Sequence, residues 1–191
     1  PDLDPQTSAT FELGSKYYFP QGSATLTYFN RSIDDVILFT SMYENFAEQN
    51  DQGVELNVEA NLFKGFNVQL SYTYLDGFTD NGTTETDNLY KRPTSQVGIN
   101  VNYDLDDKLS FRLTNQFYSD RKDVFFDLST FSSSIVTLKS YLRTDVSFQY
   151  KASRKATVFL NLNNVWDNNY FETYGFTPQG TNARIGGIFS F

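Results

Sequence analysis

Apolar and polar residues alternate along most of this chain, and the alternation has the period of a strand. Residues 141–150 carry the clearest example. Leu142, Thr144, Val146, Phe148 and Tyr150 alternate there with Arg143, Asp145, Ser147 and Gln149. Successive strand side chains point to opposite faces, so one face of this segment is apolar and the other polar. In 53–62, Val54, Leu56, Val58, Ala60 and Leu62 oppose Glu55, Asn57, Glu59 and Asn61. In 66–75, Val68, Leu70, Tyr72 and Tyr74 oppose Asn67, Gln69, Ser71 and Thr73. Segments 95–103 and 109–118 read the same way, with Val97, Ile99, Val101, Tyr103 and Leu109, Phe111, Leu113, Phe117 on their apolar faces. Segments 9–19, 24–33, 156–164 and 183–191 complete a set of nine expected strands.

The connections sort into two kinds that alternate strictly. Short ones fall at 20–22, 63–65, 104–108 and 151–155; long ones fall at about 34–52, 76–94, 119–140 and 165–182. An up-and-down meander with tight turns on one rim and elaborated loops on the other produces this order, as outer-membrane barrels do.

A soluble antiparallel sandwich would also alternate. Three features argue against it. The expected strands run about 9–11 residues, the length a tilted strand needs to cross a bilayer, whereas soluble strands centre on about 5–6. Every in-strand charge falls on the polar face: Glu12, Lys16, Arg31, Glu55, Glu59, Arg112, Arg143, Asp145 and Arg184. Facing lipid, an Arg or Lys would cost roughly 2–4 kcal/mol at mid-bilayer. Finally, Tyr17, Tyr28, Tyr72, Tyr74, Tyr103, Phe117, Phe148, Tyr150, Phe189 and Phe191 cluster toward the ends of apolar faces, where headgroup-level aromatics belong. The expected architecture is therefore an all-β, antiparallel transmembrane barrel wall.

Composition narrows the chemistry. The 191 residues carry a net charge of −8, which disfavours nucleic-acid binding, since phosphate recognition needs clustered Lys and Arg. There is neither cysteine nor histidine, so disulfides, thiolate or imidazole metal sites and the commonest general base are all excluded. Glu55 and Glu59 lie about 13 Å apart along one strand face, too far for a paired-carboxylate hydrolase. No enzyme and no cofactor are expected.

Several segments in order resemble the C-terminal barrel region of TonB-dependent outer-membrane receptors. Residues 1–8 (PDLDPQTS) followed by Phe11-Glu12-Leu13-Gly14 match its N-P-x-L-x-P-E-x-S … Y-E-x-G stretch. Gly53-Val54-Glu55, Tyr72-Thr73-Tyr74 and Arg92-Pro93 match shorter family signatures. Asn164 to Tyr170 is similar to N-L-F-D-x-x-Y, and Tyr174-Gly175-Phe176 with 180–191 to the closing Y-G-Y … P-G-R … F. Gln6, Trp166 and Thr181 stand where the family usually has Glu, Phe and Arg.

The resemblance implies an outer-membrane uptake receptor for a siderophore, cobalamin or similar metal chelate. Its barrel has about 22 strands around an N-terminal plug, of which this chain supplies the last nine. Its partners would be outer-membrane lipid and lipopolysaccharide, the plug and the remaining strands, and TonB through the plug. The polar-face residues Glu55, Glu59, Arg112, Arg143, Asp145 and Arg184 would look toward the lumen and plug. The loop aromatics Tyr43, Phe46, Phe78, Tyr90, Phe125, Phe126, Tyr170, Phe171, Tyr174 and Phe176 are candidates for ligand contact, and Phe191 for the terminal aromatic read during barrel assembly. The Asp76, Asp80, Glu85, Asp87 loop has oxygen ligands but no EF-hand spacing, and reads as a solvated loop.

Overall fold

A computed structural model describes residues 3–39, 42–80, 85–87 and 90–190. Twelve strands are described in chain order: β1 (Thr7–Phe19), β2 (Gly22–Phe39), β3 (Tyr43–Phe63), β4 (Phe66–Asp80), β5 (Glu85–Asp87), β6 (Ser95–Asp104), β7 (Leu109–Tyr118), β8 (Arg121–Asp127), β9 (Ser132–Leu138), β10 (Tyr141–Ser153), β11 (Ala156–Asn163) and β12 (Asn182–Phe189). Nine of them form a continuous antiparallel path, β1-β2-β3-β4-β6-β7-β10-β11-β12. These are the nine strands expected from the alternation. The other three belong to long connections: β5 pairs with the far end of β4, and β8 and β9 form a separate two-stranded hairpin.

Register lines up the expected faces across the sheet. Leu26, Leu56, Tyr72, Val97, Phe117 and Leu142 are successive cross-strand partners, and so are Ala60, Val68, Val101, Leu113, Val146 and Leu162. Between such rows run polar ones. One is Thr25, Asn57, Ser71, Gly98, Gln116 and Arg143; another is Ser23, Glu59, Gln69, Asn100, Thr114 and Asp145. A third runs from Asn61 and Asn67 through Asn102, Arg112, Ser147 and Asn161 to Arg184. No helix among the described residues is long and apolar enough to cross a membrane; the strands have the pattern to do it.

Two bands of aromatics bound the apolar face. At the short-turn rim Phe66, Tyr103, Phe111 and Phe148 are consecutive cross-strand partners. Phe63 stacks on Phe66 with centroids 4.7 Å apart, and Phe111 meets Phe148 at 5.2 Å. At the other rim Tyr28 and Tyr74 flank Val54. From Phe66 to Tyr74 the strand covers about 27 Å, or about 20 Å of height at a ~40° tilt, close to the thickness of a barrel's lipid-facing band.

Among the large apolar residues that break the face rule, two phenylalanines share one arrangement. Phe29 and Phe159 lie on the polar face, and each sits directly across from a glycine, Gly53 and Gly186. A Cβ at either glycine would lie 2.5 Å from the facing ring. Each ring covers backbone that the glycine leaves bare, the pairing known as aromatic rescue.

Two of the expected long loops are largely strand. β2 and β3 stay paired from Gly22↔Ala60 out to Phe39↔Tyr43, so most of 34–52 is a ribbon rather than irregular chain. In water both faces of a ribbon can be polar, so Asn45, Glu48, Gln49, Asn50, Asp51 and Gln52 show no apolar alternation to read. At the opposite rim the turns are tight. Asp106 accepts hydrogen bonds from the backbone N–H of Lys108 and Leu109, at 2.7 and 2.8 Å, which hold its carboxyl below the usual value.

Candidate functional site

The polar face and the loops at its long-loop end hold the ion pairs of the described residues and a column of stacked rings. On the face itself the dominant groups are amides and hydroxyls. Asn67 donates to Asn61 at 3.1 Å, and Ser147 donates to Asn161 at 2.7 Å. A trough of about 300 Å³ is lined by Lys16, Ser23, Thr25, Asn57, Glu59 and Gln69 among others. Arg143 and Asp145 pair with each other at 2.8 Å. Arg112 in the middle of one polar row and Arg184 at its end have no acidic partner within salt-bridge distance among the described residues.

At the mouth, rings stack in a column. Tyr118 and Tyr141 are cross-strand partners on the polar face, with centroids 5.0 Å apart. Tyr170, from the last long connection, lies flat on Tyr141 at 3.9 Å and 9°. The Arg121 guanidinium sits 5.1 Å from the Tyr141 ring, a cation over a π face. Burial pushes the Tyr170 phenol above its ordinary value.

Strand β8 fastens this column to its neighbours. Arg121 and Asp123 alternate with exposed residues and are 6% and 3% exposed. Arg121 donates to the Phe171 carbonyl, and Asp123 accepts from the Tyr174 N–H at 2.9 Å. Lys91 donates its backbone N–H to the Lys122 carbonyl and lies 3.7 Å from Asp123. Three long connections, around residues 90–94, 119–140 and 165–181, thus meet at one place.

A second charge cluster anchors the 90–94 segment to the ribbon. Asp51 is 2% exposed and receives Arg31, Arg92 and Gln49. Burial alone would raise its carboxyl, but the Arg31 hydrogen bond, the Arg92 charge and the Gln49 amide together hold it below 3.8.

The candidate ligand residues divide. Phe125, Tyr170, Phe171 and Tyr174 come together, with Phe125 edge-on to Tyr174 at 4.9 Å and Phe171 at 6.1 Å from it. Phe126 meets Phe131 at the exposed tip of the β8–β9 hairpin. Tyr90 precedes Lys91, which takes a positive φ of 64° beside the Lys122 contact. Tyr43 and Phe176 are exposed. Phe78 continues the parity of Tyr74 and lies on the apolar-face side of β4, so it does not join the mouth. The Phe46 backbone pairs with Val36; its side chain, and all of Phe191, lie outside the described residues. The acidic loop pairs Asp80 with Glu85 and Phe78 with Asp87 across β4 and β5, and no group of three or more acidic side chains able to hold a metal occurs among the described residues. Sequence reading missed Tyr118, Tyr141, Arg121 and Asp123. The available signals were aromatics at polar-face positions where strands end, and the alternating charges of residues 121–123.

A sheet sorted in this way, with one greasy face between aromatic bands and one wet face opening on a ringed mouth, is a wall of an outer-membrane barrel. The family model described as TonB dependent receptor-like, beta-barrel, matches residues 1–165, and the chain belongs to that family.

Among relatives, the probable TonB-dependent siderophore receptor PiuA of Acinetobacter baumannii is 24% identical over 199 residues, covering 95% of this chain and 26% of that protein. The ferric-pyoverdine BN7/BN8 receptor of Pseudomonas putida is 24% identical over 191 residues, covering 96% and 22%. The chain thus spans about a quarter of the length of these relatives. The crystal structure of the Pseudomonas aeruginosa outer-membrane ferripyoverdine receptor, bound to ferripyoverdine, superposes on 99% of this chain and 28% of its own, with a TM-score of 0.82 and 19% identity. The siderophore receptor PirA of Acinetobacter baumannii superposes at 0.80 with 21% identity, over 100% of this chain and 32% of its own. At these identities the superpositions establish the fold.

Proposed function

We propose that this chain forms the C-terminal stretch of wall in an outer-membrane receptor that imports a ferric siderophore or similar metal chelate. The named relatives are siderophore receptors, which favours that ligand class over cobalamin. The observation that carries the reading is the convergence of Phe125, Tyr170, Phe171 and Tyr174 with the Tyr118–Tyr141 column at the mouth of the polar face. Rings and amides at a half-enclosed polar mouth suit a chelate with an aromatic or peptidic body.

In this reading Glu55, Glu59, Arg112, Arg143, Asp145 and Arg184 face a plug that fills the lumen. Arg112 and Arg184 are the first candidates for plug carboxylates, because charge-assisted pairs would answer their lack of a partner here. Import is driven by TonB acting on that plug, and Phe191 serves barrel assembly. The test is uptake of radiolabelled iron by a host stripped of its own receptors and supplied with this one. Hydroxamate, catecholate and peptidic ferric chelates are offered in turn. At least one is expected to enter saturably and to be lost on Tyr170→Ala at unchanged surface level. A receptor present at the surface that takes up none of the three classes would overturn the proposal.

A further inference from the structure

The last long connection touches both faces of the wall. Trp166, the single tryptophan of the chain, lies on the apolar face. Its indole N–H donates to Thr144 Oγ1 at 2.9 Å, and the Thr144 hydroxyl donates to Asn115 Oδ1 at 2.6 Å. Thr144 and Asn115 are cross-strand partners in the row of Ile99 and Leu70, so they are polar groups set in a lipid-facing surface. Unpartnered, they would be costly there. The indole covers them: Thr144 is 5% exposed, while Trp166 itself is 66% exposed outward. Four residues on, Tyr170 lies on the opposite face, stacked on Tyr141.

The crossing between the two is built rigidly. Asn164 takes a positive φ of 49°. It exchanges hydrogen bonds with Asn168, side-chain N–H to carbonyl at 3.0 Å and backbone N–H to side-chain oxygen at 3.1 Å. Asn168 also donates to the Leu142 carbonyl of β10, and Asp145 on the polar face accepts the Asn164 N–H at 2.9 Å. Val165 N–H bonds the Thr144 carbonyl. Strand β10 is therefore gripped from outside at Thr144 and from inside at Tyr141, within one turn of chain.

We propose that residues 164–170 are a rim clamp that couples the outer-leaflet lipid contact of Trp166 to the Tyr170–Tyr141–Arg121 column at the mouth. The inference rests on the membrane-wall reading of the apolar face. The mouth segment cannot lift from Tyr141 without straining the anchor that Trp166 makes in the lipid surface. Loss of that anchor loosens the mouth on the far side of the wall.

Two measurements on the membrane-reconstituted protein test it. The first is the fluorescence difference between the native protein and Trp166→Phe, which isolates Trp166, read with brominated lipids. The expected result is quenching from within the bilayer and not by aqueous acrylamide. The second is amide hydrogen exchange in Trp166→Phe and Thr144→Val, each of which keeps its side chain's bulk. Exchange at 170–174 and 121–123 is expected to rise about fivefold, the scale of one net hydrogen bond, with strands β3 and β4 unchanged. Quenching from lipid with exchange raised only at 165–168 would overturn the clamp while leaving the wall reading intact. Absence of lipid quenching would overturn the wall reading itself, and the clamp with it.

Discussion

The two rims of this wall use the same aromatic residues on opposite faces. At the short-turn rim Phe66, Tyr103, Phe111 and Phe148 stand in register on the apolar face, and their rings meet laterally as a belt. At the long-loop rim Tyr118, Tyr141 and Tyr170 stand on the polar face and stack as a column, with a guanidinium against one ring. Residue type alone does not separate an anchor from a mouth. Parity within the strand does, because a shift of one position moves a ring from the lipid to the lumen.

The sharpest way to break that contrast is to place one charge on each face at the same height. Leu70→Arg on the apolar face should destabilise the reconstituted protein by about 2–4 kcal/mol, whereas Ser71→Arg beside it should cost under about 1 kcal/mol. Urea titration in bilayers measures both, and equal losses would contradict the face assignment.

Next in size is the charge cluster above the wall. Asp51→Asn leaves Arg31 and Arg92 without their carboxylate. A fully buried broken pair costs more, but the arginines are partly wet, so about 1–3 kcal/mol is expected. The pH dependence follows from the lowered carboxyl. Its stabilisation is complete above the ordinary value of 3.8 and is lost as pH falls through the lower folded value. Exchange protection of residues 90–94 should therefore fall only in strong acid in the native protein. In Asp51→Asn it should already be low at neutral pH.

Smaller effects test the exceptions to the face rule. Gly186→Ala pushes a methyl into the Phe159 ring and should cost about 1–3 kcal/mol by overpacking. Phe159→Ala combined with it should recover part of that loss. The belt comes last. Phe148→Ala should cost about 1 kcal/mol beyond lost area, from its contact with Phe111, and should leave ligand uptake unchanged. Tyr141→Ala in the column should reduce uptake at similar stability.

Most of the wall was legible before any coordinates, because lipid on one side and water on the other impose a period of two over nine segments. Leu56, Leu70, Val97 and Val146 all read correctly from alternation alone. Phe29 and Phe159 did not, because the glycine facing each becomes visible only once register pairs residues 24 and 27 positions apart. The ribbon of β2 and β3 was hidden because its β3 half, from Glu48 to Gln52, is polar on both faces. The mouth was hardest. Tyr141 looked like the start of a strand, and only the folded chain brings Arg121 and Tyr170 to it, across 20 and 29 residues. The loop aromatics could be nominated as a group, but not divided into those that converge and those, like Phe78, that turn away.

The length of β3 has one more consequence. Its 21 residues extend about 70 Å, yet a tilted strand crosses the hydrocarbon in about 9–11. Roughly half of it, still hydrogen-bonded to β2, therefore stands as a mast beyond the bilayer at the long-loop rim. A molecule approaching the long-loop rim would meet this paired ribbon before it reached the Tyr141 column.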